Sequence, residues 1–244
     1  MSKKYKNKQC VYCLKIISST RDHVIAKEFF PINIRNEPIP TVPSCKHCQV
    51  EKSKLEQYLV TVLPFGSDHP AASNLLHSKT KARLQKNKKL LKEIQEGKNY
   101  IWLKKGKGPY LSTMTLPFDY KKFESLVKYI VRGLAYDLWK TYIPDDYLIK
   151  ILSLTSEMAD FFHKHILTMS PENRKEKIFG EGVFRYICTC NSDDKALSVW
   201  YLEFFKNLNI YGEGKYNRLY RTQIFALTGP LKEIKPVIDQ LLNK

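Results

Sequence analysis

Apolar positions follow two different periods along this chain. In KFESLVKYIVRGLAYDLWK they fall at 123, 126, 127, 130, 131, 134, 135, 138 and 139, the spacing of a helix with one continuous buried face. This predicts a core helix over 119–142, in which Arg132 and Gly133 need no catalytic explanation. The stretch YLIKILSLTSEMADFFHKHILTM predicts another helix. Beyond it VFRYICTC, SVWYLEFF and TQIFALTG alternate apolar and polar residues, which predicts antiparallel strands across 182–229, with a last helix at PLKEIKPVIDQLL.

Closer to the N-terminus, HPAASNLLHSKTKARLQKNKKLLKEIQEGK predicts one or two basic helices over 71–97 that stop near Gly97, and His69 belongs to the turn before them. NYIWLKKGKGPYLSTMTL predicts two short strands around a Gly-Pro turn. The fold class is therefore α+β. No P-loop, nucleotide fingerprint or repeat marks the region 63–244, so it reads as an accessory region that positions a site or docks it to a partner. Trp200, Tyr201 and Phe204 have apolar neighbours and read as core rather than as base-stacking residues.

A length of 244 residues with 43% hydrophobic side chains is enough for a core that needs no metal to hold it up. No apolar run approaches the ~20 residues of a membrane span, and MSKKYKNKQC is charged without an apolar signal segment behind it. The expected location is cytoplasmic. Charge changes the picture more. The net charge is +17, and residues 1–110 hold 22 Lys and Arg against 8 Asp and Glu, or +14, which leaves +3 for the rest. A basic patch of this kind attracts polyanions, nucleic acid first among them; the plain alternative is a lysine-rich solvated surface.

Six cysteines fall into three close pairs. Cys10 with Cys13 (CVYC) and Cys45 with Cys48 (CKHC) have the C-x-x-C spacing that brings two thiolates to one tetrahedral zinc, and in a reducing compartment this is a structural zinc site rather than two disulfides. Cys188 and Cys190, in FRYICTC, share one face of a strand and read as buried.

Between the two knuckles lies DHVIAKEFFP, followed by TVPSCKHC and then SKLEQYL. In order and spacing these motifs, over roughly residues 9–60, resemble the HNH endonuclease family; a vaguer likeness extends to KYIVRGLAYDLWK. The resemblance implies a ββα-metal module over 1–62, in which a hairpin and a helix hold a catalytic divalent ion, Mg²⁺ or Mn²⁺, apart from the zinc. It places the general base at His23, which a neutral imidazole can serve near pH 7, and a metal ligand at Asp22.

Two positions depart from the family pattern. Gln49 stands where the family has Asn after the second knuckle; its amide oxygen can still bind a metal, displaced by one methylene. The central Asn that buttresses the family's hairpin has no counterpart in NEPIPTVPSC, and Asn36 is the nearest substitute. Lys27, Lys52 and Lys54 are candidate phosphate contacts, with a solvated helix face as the alternative for the last two. Ser53 or His47 are weaker candidates for completing the metal site.

Two expectations result. The first is a divalent-metal-dependent endonuclease acting on DNA, with the small freestanding members of the resembled family pointing to defence or a mobile element. The second is a zinc-stabilised module that binds nucleic acid or docks a protein, its catalytic pocket decayed. A regulatory partner and a homo-oligomer are both left open.

Overall fold

The computed structural model describes residues 5, 7–104, 109–154, 162, 164, 171–206, 208–211, 219–221 and 223–242. The architecture is α+β. The chain opens with a knuckle turn closed by Cys10 N–H donating to the Ile16 carbonyl at 2.9 Å and Leu14 N–H to the Cys10 carbonyl at 3.0 Å. Leu14 takes a left-handed φ of +53°, which turns the chain back on itself.

The hairpin comes next. β1 (Thr20–His23) pairs antiparallel with β2 (Thr41–Ser44), with Asp22 opposite Val42 and His23 opposite Thr41. Strand β2 runs straight into α1 (Lys46–Val62), whose N-cap is Cys45. The basic segment forms α2 (Pro70–Leu75), a π-helical turn (Leu76–Thr80), α3 (Lys81–Lys86) and α4 (Lys88–Gly97). His69 caps α2, its Nδ1 accepting from Ala71 N–H at 3.1 Å while Nε2 meets the Glu181 carbonyl at 3.2 Å. The turn before the helix is thereby tied to the C-terminal sheet.

The ribbon β3 (Asn99–Lys104) with β4 (Tyr110–Thr115) matches the two strands expected from the sequence, and its turn lies outside the described residues. α5 (Tyr120–Trp139) is the expected core helix. Phe123, Leu126, Val127, Ile130, Val131, Leu134 and Ala135 along it are all buried, with Asp119 capping its start through Lys122 N–H at 3.0 Å.

The remaining strands are β5 (Leu148–Leu154), β6 (Lys175–Phe179), β7 (Phe184–Cys190), β8 (Ser198–Phe204), β9 (Asn209–Tyr211), β10 (Leu219–Arg221) and β11 (Gln223–Gly229), and α6 (Leu231–Leu242) lies C-terminal to them. The main sheet is antiparallel, in the order β5-β11-β8-β7-β6. Here one expectation is corrected. The stretch from Tyr147 begins with strand β5 instead of a helix, because its Leu and Ile positions pair with β11 at the sheet edge; most of residues 155–170 lie outside the described residues. Among the described residues no helix is long and apolar enough to cross a membrane.

The central strands β11, β8 and β7 are buried on both faces, successive side chains entering opposite cores. Ile224, Ala226, Trp200, Leu202, Tyr186 and Cys188 face the core that contains α5, whereas Phe225, Leu227, Tyr201 and Ile187 face Ile234 and Ile238 of α6. Trp200, Tyr201 and Phe204 are core residues, and Cys188 and Cys190 are buried free thiols. The core on the α5 side is continuous from Cys10, Val24 and Val42, through Leu59 and Val131, to Phe184 and Trp200. Gly133 of α5 is where the hairpin comes closest: a Cβ there would stand 2.9 Å from both Val24 methyls.

Candidate functional site

Cys10 and Cys13 come from the first knuckle turn, Cys45 from the end of β2 and Cys48 from the first turn of α1. Their four sulfurs lie within 4.8 Å of one another, with Cys13 and Cys45 Sγ 3.9 Å apart. Four sulfurs about 2.3 Å from a tetrahedral zinc stand about 3.8 Å from each other, so the set matches that ion after shifts of up to about 1 Å between sulfurs. The four cysteines form a site able to hold a metal, compatible with structural zinc.

The surroundings act on the thiols in opposite directions. Cys45 Sγ accepts from Cys48 N–H at 3.4 Å, placing sulfur at the positive end of α1. Burial raises the Cys10 and Cys48 thiols, whereas Cys13 is lowered, its own burial being outweighed by the N–H groups of Lys15 and Ile16 and the neighbouring thiols. From α5, the largely buried Arg132 feels the charge of Cys13 and Cys48 after that of Asp145, and donates to the Ile143 carbonyl at 2.6 Å. Its guanidinium would offset part of the negative charge of four thiolates gathered on a metal.

The hairpin forms a second site beside the first. Asp22 is buried, and its Oδ2 accepts from Tyr12 Oη at 2.8 Å and lies 2.9 Å from Lys52 Nζ. Oδ1 accepts no hydrogen bond among the described residues. Lys52, reaching across from α1, has a fully buried side chain whose ammonium also meets the His23 carbonyl oxygen at 2.6 Å and a Glu56 carboxylate oxygen at 2.5 Å. One cation thus stands between two carboxylates. Asp22 balances its charge, and burial pushes the second carboxyl, Glu56, up to about 7 even though Lys52 pulls it the other way. Burial, and then Asp22, also push the Tyr12 phenol up, so it remains a donor.

His23 is different. It is half-buried, and its ring makes no hydrogen bond among the described residues. Burial first, then the charges of Lys27, Lys52 and Arg21, lower its pKa below the ordinary 6.5, against the opposing pull of Asp22. The imidazole is neutral at pH 7, with its lone pair available.

The other candidates sort by exposure. Lys27 and Lys54 are exposed, Lys54 pairing with Glu51 at 2.6 Å. Lys52 is not a phosphate contact: burial and three partners leave it no approach to a polyanion. Gln49 sits half-buried on the first turn of α1, its backbone N–H donating to the Cys45 carbonyl at 3.1 Å. Asn36 is exposed in the loop between β1 and β2 and makes no hydrogen bond to the hairpin among the described residues; the side chains of His47 and Ser53 make none either. The bond from Lys52 to the His23 carbonyl braces the hairpin instead, helped by Val24 N–H donating to the Pro40 carbonyl at 2.9 Å.

Tyr12 and Glu56 are residues that reasoning from motifs does not place, and Lys52, expected as a phosphate contact, serves instead as the buried counter-charge of Asp22 and Glu56. A signal is present: Lys52 lies four residues after the buried Cys48 and four before Glu56, so its stem shares the inward face of α1 with a complementary charge one turn on. Set against known proteins, the chain matches no family model, no curated protein and no solved structure.

Proposed function

We propose that this protein is a divalent-metal-dependent endonuclease of the HNH kind, hydrolysing phosphodiester bonds in DNA. The observation that carries the reading is His23, a neutral imidazole with an uncommitted ring at the end of β1, on a hairpin that leads into the helix opened by the second cysteine pair. Such a ring takes a proton from water as the water oxygen attacks phosphorus; the bond from phosphorus to the leaving sugar oxygen then breaks, and that oxygen acquires a proton from solvent. Asp22 and Gln49 would hold Mg²⁺ or Mn²⁺, and the ion when bound would supply positive charge to the phosphate and the leaving oxygen. Lys27 and Lys54 meet flanking phosphates, and zinc on the four cysteines holds the hairpin to α1. The location is cytoplasmic, and the role one of defence or of a mobile element, with activity restrained by a partner or by self-association.

A second reading has its own observation. Asp22 Oδ2 is taken by Tyr12 and Lys52, which suits a hairpin retained as a nucleic-acid-binding or protein-docking surface after catalysis has decayed. Incubation with plasmid and single-stranded DNA in Mg²⁺ or Mn²⁺, with EDTA and His23→Ala as controls, separates the two. The nuclease reading expects metal-dependent nicking that His23→Ala abolishes without loss of zinc. Salt-sensitive binding with no cleavage under any metal would favour the second reading.

A further inference from the structure

The ribbon of β3 and β4 joins no other strand among the described residues. It exposes large apolar side chains: Trp102 at 70%, Tyr100 at 64%, Tyr110 at 62% and Met114 at 47%. Tyr100 stands opposite Met114 and Trp102 opposite Ser112, and residues two apart on a strand share a face, so all four project from the same side of the ribbon. Leu111, on the other side, is exposed as well. A chain that leaves this much aromatic surface uncovered presents it to something.

The neighbouring chain indicates what. Residues 71–98, which lead into β3, carry eight Lys and Arg against two Glu. Of these Lys81, Lys86, Lys88, Lys89, Lys92 and Lys98 are exposed, and Lys92 alone of the six forms an ion pair among the described residues, with Glu96 at 3.7 Å. A protein partner would be met by complementary apolar surface, whereas flat rings on a ribbon entered directly from a lysine-rich segment match unstacked bases on a phosphate backbone. The spacing agrees. Tyr100 and Trp102 are two residues apart on one strand, so their side chains leave the backbone about 7 Å from each other, enough to admit a flat ring between them. The small Ser112 opposite Trp102 leaves the indole face open.

We propose that the exposed face of the β3–β4 ribbon is a stacking platform for single-stranded nucleic acid, with Tyr100 and Trp102 holding bases and the exposed lysines of α3 and α4 tracking the phosphates. It rests on the reading of the protein as nucleic-acid-directed but not on catalysis. The platform confers a preference for unpaired strands over duplex that the hairpin site does not require.

The test is binding of labelled oligo-dT and of duplex DNA by the full chain, with tryptophan emission as a second readout. Trp102→Ala is expected to weaken oligo-dT binding about tenfold, with duplex binding and melting temperature little changed, and Trp102→Phe is expected to retain most of the affinity. Oligo-dT should quench tryptophan emission and polyphosphate should not. The quench should vanish in Trp102→Phe, because Trp200 is fully buried and Trp139 is packed against it, ring centroids 5.1 Å apart. Tight binding unaffected by Trp102→Ala would overturn the platform and leave the nucleic-acid reading standing; absence of binding to any nucleic acid would overturn both. A dimer that dissociates on Trp102→Ala with DNA affinity intact would assign the face to a second copy of the chain and so overturn the proposal.

Discussion

Lys52 Nζ lies 2.9 Å from Asp22 Oδ2, one side chain sent from the helix and the other from the hairpin, the lysine fully buried and the aspartate nearly so. Their relation fixes how the two halves of the ββα unit meet, and it sets the first expectation. Lys52→Met keeps the volume of the stem and removes the cation, leaving Asp22 and Glu56 buried without a counter-charge. The cost should be about 3–5 kcal/mol in urea unfolding. Adding Asp22→Asn and Glu56→Gln should restore much of it, and a single-variant loss under about 1 kcal/mol would show that the pair is not a strut.

Glu56 makes stability depend on pH. Its carboxyl is raised from the ordinary 4.5 to about 7 by burial, so the folded chain holds this proton more tightly than the unfolded one. The contribution is fully present below about 4.5 and is lost as pH rises through about 7. Glu56→Gln removes that loss. Its melting temperature relative to the unaltered protein should improve between pH 5 and pH 8, and an offset that stays constant over this range would contradict the assignment.

Gly133 is a close-approach glycine. A methyl group there meets both Val24 methyls at 2.9 Å, in the residue directly after His23. Gly133→Ala should destabilise by roughly 1–3 kcal/mol. Val24→Ala in the same chain should recover part of the loss, and simple additivity of the two would place the strain elsewhere.

Metal at the cysteines can be read directly. One zinc per chain is expected, and Co²⁺ substitution should give the charge-transfer absorption of tetrahedral thiolate ligation. Cys45→Ser should lose the metal and loosen the module, because this sulfur also caps α1. Full zinc occupancy in Cys45→Ser would overturn the four-cysteine assignment.

If cleavage is found, its pH profile should report His23. The base acts in its neutral form, and its pKa lies below 6.5, so the rate should climb with pH on the acid side and level before neutrality. An acid limb centred above pH 7 would point to another base.

Much of the fold is legible in the sequence because burial and period coincide. The α5 stripe carries one face into one core. Strands β7, β8 and β11 are short apolar and aromatic runs whose alternate residues enter the two cores on either side of the sheet, so period and run length find these elements. Strand β5 escapes them because Leu-Ile-Lys-Ile-Leu satisfies helix and strand templates equally over so short a run; only its pairing with β11 decides. Strand β6, Lys-Glu-Lys-Ile-Phe, is a charged sheet edge with little apolar signal. At the site, the cysteine spacing is sufficient because tetrahedral ligation constrains it tightly. Lys52 is only half legible. Glu56 one turn on is a local cue, but its other partner is a carboxylate thirty residues earlier in the chain, which no local pattern expresses.

The glycine contact at 133 also bears on how the N-terminal segment can be used. Because Val24 rests on α5 and the core passes unbroken from the cysteines to Trp200, the segment is not a portable cassette. Grafted onto another protein, it would carry its zinc ligands and its histidine but not the floor on which the hairpin stands.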